Sequence, residues 1–174
     1  LLLISEHTQT ETQTKRHAQL QQMPIAHCHP PIPGQNVYGQ LPSGEYYIGD
    51  LAYVLPEDIF AEKLEQSEHG RKIGIFHHGS VQYAEFQTMK GDGAYLDHER
   101  NEYTVDTGSI GCFPLSKMTR KKRSEIESDG LGHIHSFDRP FNVCYNADEG
   151  LMIFGDIHIE TDYRSYPDLF PDLA

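Results

Sequence analysis

The sequence predicts a mainly β (α+β) fold, an antiparallel sandwich or open barrel of about eight strands with one inserted helix. Three observations predict it. Short runs with alternating apolar residues recur along the chain, separated by glycine, proline, asparagine or aspartate. One segment alone combines clear helix start and stop signals. The sequence shows neither strand–helix–strand repetition nor an internal repeat.

Taken in order, residues 1–22 are rich in Gln and Thr without sustained periodicity, and the first methionine is Met23. Two readings stay open: a segment ahead of a true start at Met23, or a flexible leader. On either reading residues 1–35 contribute little to a core, and residues 36–174 form a single β-rich domain. Residues 24–35 hold four prolines and should run extended over the surface. His27, Cys28 and His29 invite a metal, yet neighbours on an extended chain point to opposite sides and do not readily meet one ion.

From Asn36 the pattern changes. Pro42, Ser43 and Gly44 mark a hairpin bend entering a strand over 45–48. Pro56, the acids Glu57 and Asp58, and Gly70 beyond the end delimit a helix over 56–67. Ile59, Phe60, Lys63 and Leu64 give it one apolar stripe. KIGIFHHG and SVQYAEFQTM read as a hairpin turning at Gly79-Ser80. The second strand places an aromatic on each face, so neither face is simply solvated. AYLD and EYTVD flank the polar loop HERN as a further hairpin, and SIGCFPL is a short buried run that Pro114 ends. TRKKRSEIESDG, residues 119–130, is the one basic cluster; acids follow at once, as in a solvated loop or short helix. GHIHSF, FNVCY and LMIFGDIHIETD supply three more strands, and the tail YRSYPDLFPDLA caps an edge or lies free.

Charge narrows the partner classes. Fourteen Lys and Arg face 26 Asp and Glu, a formal charge of −12. That disfavours a nucleic-acid backbone, which needs clustered cations. It suits a soluble protein, a cation binder, or a protein partner with a basic surface. The three cysteines, Cys28, Cys112 and Cys144, form no C-x-x-C pair, so neither a zinc ribbon nor a disulfide framework is indicated and an intracellular setting is expected. No run approaches the roughly 18 apolar residues of a membrane span, and LLLI is too short for a signal peptide.

Candidate chemistry concentrates in GDGAYLDHERNEYTVDTGSIGC, residues 91–112. Gly91, Asp92 and Gly93 have the residue types of a turn with positive φ. Asp97, Glu99, Glu102 and Asp106 miss the alternate spacing of a helix–loop–helix calcium site. The turn Asp106-Thr107-Gly108 resembles the one that carries the catalytic acid of aspartic proteases, which need two such turns. Cys112 lies in an apolar run, where a free cysteine acts as a small, inert core side chain. His133 and His135 share a strand face, as Asp156 and His158 do on another strand. Together they would make a chemically sound set for Zn, Fe or Mn.

The stretches SGEYYIGDLAYVL, GDGAYLD, YTVDTGSIGC and IFGDIHIETD, spread over residues 40–162, resemble the successive motifs of an uncharacterised family of small β-rich proteins found in bacteria, phages and large DNA viruses of algae. The matching positions are Gly49, Asp50, Gly91, Asp92, Gly93, Asp106, Gly108, Gly111, Cys112 and Gly155. His133, His135 and His158 are not part of the pattern. The resemblance implies no particular reaction, and glycines with turn aspartates suit structure better than catalysis. The expected function is a non-enzymatic binding or accessory module, a subunit of a larger assembly without a cofactor. The alternative is a metal-dependent enzyme using His133, His135, Asp156 and His158.

Overall fold

Strands whose two faces are both apolar need a layer on each side, and this requirement shapes the domain. The computed structural model describes residues 36–163. They form eleven strands: β1 (Asn36–Leu41), β2 (Gly44–Gly49), β3 (Gly74–His78), β4 (Val81–Gln87), β5 (Gly93–Asp97), β6 (Glu102–Val105), β7 (Ser109–Pro114), β8 (Gly132–Phe137), β9 (Phe141–Asn146), β10 (Leu151–Phe154) and β11 (Ile157–Glu160). Two antiparallel sheets result, β1-β9-β10-β11-β5-β6 and β3-β4-β7-β2-β8. They pack as a sandwich rather than a closed barrel, with β1 lying against β3 at one side and β6 against β8 at the other.

The period of two sorts the side chains. In β2, Tyr46 and Ile48 face the six-stranded sheet and Tyr47 faces away; in β4, Ala84 and Phe86 face inward and Tyr83 outward. The inner core joins Ile48, Phe86 and Cys112 to Val143, Met152, Phe154 and Ile159 of the other sheet. A second core covers the outer face of the five-stranded sheet, where Tyr47, Tyr83 and Phe113 meet Ile59 and Ile126 from two helices. Burial of each such side chain stabilises the fold by about 1.5–3 kcal/mol.

Helix α1 (Glu57–Gln66) begins after Pro56 with Glu57 and Asp58 in its first turn, as expected. Lys63 is not an apolar contact. Its ammonium meets both oxygens of Glu85 on β4, at 2.7 and 3.0 Å, and the pair is almost buried. Helix α2 (Arg120–Asp129) decides between loop and helix for the basic cluster. The Thr119 hydroxyl accepts the Lys122 amide at its start, and Gly130 ends it at φ +63°.

The two expected hairpins form, β3–β4 through Gly79 at φ +58° and β5–β6 through the HERN loop. Two local expectations need correction. LMIFGDIHIETD is not one strand but the hairpin β10–β11, because Gly155 at φ +61° reverses the chain inside an otherwise continuous apolar run. The bend at 42–44 is not a hairpin, since β1 pairs with β9 and β2 with β7 and β8 in the other sheet. The chain crosses between sheets there. The readings of residues 1–35, including His27, Cys28 and His29, and of the tail beyond 163 lie outside the described residues. No helix among the described residues is long and apolar enough to cross a membrane.

Candidate functional site

Polar side chains gather at two centres. The first lies where β2 ends and the chain enters a short 3-10 turn, Leu51–Tyr53. Asp50 caps that turn and is fully buried. Its Oδ1 accepts the Ala52 amide at 3.0 Å and the Thr107 hydroxyl at 2.7 Å. Its Oδ2 accepts the amides of Asp106 and Thr107, each at 2.8 Å. Four donors of its own chain thus saturate the carboxylate. Asp106 itself is exposed and accepts the hydroxyl of Tyr53. Burial first, then the Asp106 hydrogen bond and the charges of Asp106, Asp50 and Asp92, push the Tyr53 phenol upward, so it stays protonated.

The other pattern positions surround this knot or shape the core. Tyr95 donates to the Gly91 carbonyl at 2.6 Å, closing the turn that Gly91 makes at φ +72°. Exposed Asp92 borders Gly108, which holds φ +70° in the turn before β7. Gly111 has no room for a side chain: a Cβ there would stand 2.4 Å from the Leu51 side chain and 2.6 Å from the Ala84 carbonyl. Gly49 is similarly closed by the Tyr47 ring. Gly93 opens β5 at φ +149°, and the Gly155 turn is packed against Phe137 and Phe141. Cys112 is wholly enclosed, and burial pushes its thiol well up, away from the reactive thiolate.

The second centre is the seam between β6 and β8. His133 and His135 point inward from β8, as their spacing predicts. His133 Nε2 donates to the Glu102 carbonyl at 2.7 Å. The fully buried Tyr103 hydroxyl lies 2.9 Å from Asp97 Oδ2 and 3.0 Å from His135 Nε2. Burial alone would raise the Asp97 carboxyl. Hydrogen bonds from Asn101, Tyr103 and Glu99 outweigh that and hold it below its ordinary value. Asp97 is therefore an acceptor only, Tyr103 spends its one proton on it, and His135 supplies an Nε2–H to the phenol oxygen. Burial, then the His133 charge, depress the His135 imidazole against the pull of Asp97, Asp156 and Glu99.

The proposed metal set does not converge. Ile157 and Ile159 face the inner core, so His158 between them faces the other side of its sheet, away from His133 and His135. Its ring lies 5.3 Å from that of His98, and its backbone amide donates to His98 Nδ1 at 3.2 Å. Asp156 sits in the β10–β11 turn rather than on a strand. Among the described residues no three His, Cys, Asp or Glu side chains are grouped to hold a metal ion.

Sequence reasoning missed Tyr53, Thr107 and the pairing of Asp97 with Tyr103. The last was within reach. The β5–β6 register sets Leu96 opposite Glu102 and Tyr95 opposite Tyr103, which puts Asp97 and Tyr103 diagonally on one face. Comparison with protein-family models, with curated proteins and with solved structures finds no match to this chain.

Proposed function

We propose that the protein is a non-enzymatic binding or accessory module that joins a protein partner with a basic surface, as a subunit of a larger assembly. One observation carries this reading: the carboxylate of Asp50, central to the sequence pattern, is fully buried and consumed by four donors of its own chain. Gly111 and Cys112 likewise serve packing. A group spent on holding the fold has no lone pair left for a substrate. The resemblance to a β-rich family defined by glycines and turn aspartates supports the same reading.

The formal charge of −12 supports the basic partner. Helix α1 exposes Glu57, Asp58 and Glu65 in a short span. Cross-linking in extracts of the source organism, followed by mass spectrometry, tests the reading. A partner captured at low salt should be lost at high salt and in the variant carrying Glu57→Lys, Asp58→Lys and Glu65→Lys. A partner indifferent to both would overturn the acidic-surface reading. Stoichiometric zinc, iron or manganese in tag-free protein, lost on His133→Ala with His135→Ala, would instead establish the metal enzyme.

A further inference from the structure

A cleft of about 480 Å³ opens at the end of the sandwich where β2 begins, the opposite end of that strand from Asp50. Three loops and a helix build it: the β1–β2 crossover, the β3–β4 turn, the segment after β7, and the first turn of α2. Its apolar part is formed by Tyr46, Val81, Pro114 and Leu115. Tyr46 donates to the Pro42 carbonyl at 2.8 Å, which braces the crossover against that wall.

Besides Glu45 and Gln82, the polar lining consists of hydroxyls and cations. Ser43, Ser80 and Ser116 contribute a hydroxyl from each of the three loops, and Lys117 and Arg123 contribute cations. Within the described residues these serine hydroxyls make no side-chain hydrogen bond and Lys117 makes no ion pair. Arg123 Nη2 stands 3.5 Å from Glu45 Oε2, with both side chains about half exposed. Such a long, hydrated pair costs little to exchange for another anion. Glu45 is the one acid in the lining. The rest of the basic run, Arg120, Lys121 and Lys122, belongs to the same first turn of α2 and offsets the negative charge of the protein locally.

We propose that this cleft binds an organic phosphate, a phosphoryl group attached to an apolar or aromatic body. Two cations and three hydroxyl donors suit the several acceptor oxygens of a phosphoryl group. Partly exposed Pro114, with the rim of Val81, takes the body, and the volume falls within the roughly 300–1,000 Å³ of small-molecule sites. The site is independent of the protein-binding reading, which uses the exposed acids of α1.

The test is titration of isotope-labelled protein with phenyl phosphate, inorganic phosphate and benzoate, followed by amide shifts and calorimetry. Phenyl phosphate should shift the amides of Ser43, Ser80 and Ser116 and bind at least about tenfold tighter than inorganic phosphate. Lys117→Ala with Arg123→Ala should weaken it at least about tenfold while leaving the spectrum otherwise native, since both side chains are exposed. Absence of localised shifts at millimolar phenyl phosphate would overturn the site. Undiminished binding by the double variant would overturn the role of the cations. Benzoate binding as tightly as phenyl phosphate would overturn the phosphate assignment.

Discussion

Asp50 holds Thr107 twice, by the hydroxyl at 2.7 Å and by the backbone amide at 2.8 Å, across 57 positions of sequence. The contact fastens the end of β2 to the turn between β6 and β7, which lie in different sheets. Asp50→Asn presents an amide group to donors and removes the charge that strengthens these bonds. It should lower unfolding free energy by about 2–4 kcal/mol in urea titrations. A loss within experimental error would mean that the four bonds do not fasten the sheets together.

Two glycines of the stretch 91–112 should respond very differently to alanine. Gly91 has φ +72° with open space around a Cβ, so Gly91→Ala costs backbone strain alone, about 1 kcal/mol. Gly111→Ala drives a Cβ against the Ala84 carbonyl, which cannot step aside, and should cost more than about 3 kcal/mol. Exposed Asp92→Asn should change stability by under about 0.5 kcal/mol. Chemical denaturation of the three variants checks the order.

The hydroxyl of Tyr83 is buried without a hydrogen-bond partner among the described residues. Its ring stacks on Phe76 and tilts against Phe113, contacts that phenylalanine would keep. Tyr83→Phe should therefore be neutral or stabilising by up to about 1 kcal/mol in thermal and urea unfolding. Clear destabilisation would reveal a partner for the phenol.

The seam at His135 makes stability depend on pH. The imidazole is depressed in the folded protein, so below the unfolded value of about 6.5 the unfolded chain binds the proton first. Its contribution is fully present above that pH and is lost as pH falls through the folded value. Asp97 acts in the same direction but lower, as pH falls below about 3.9. His135→Gln should flatten the decline that sets in below about pH 6.5 and leave the steeper acid loss in place. An unchanged slope would show that His135 does not link protons to folding.

Cys112 and Cys144 are both buried. In a Cys28→Ser background, thiol reagents should label the native protein slowly and the denatured protein at once. Rapid native labelling of Cys112 would show that the inner core opens locally.

Much of the fold was legible because it is local. Alternation in SVQYAEFQTM placed Tyr83 and Phe86 on opposite faces, and the glycines at 79 and 91–93 marked reversals that residue type alone specifies. Helix α1 was readable from Pro56, its acids and the residues of one face. Tertiary structure decided what lies farther apart in sequence. It separated β1 from β2 into facing sheets, joined Asp50 to Thr107, and turned His158 away from His133 and His135. Periodicity says that neighbours alternate, but which face turns inward depends on the sheet packed against it. That choice is made by apolar burial between strands as distant as β2 and β9, beyond the reach of any local pattern.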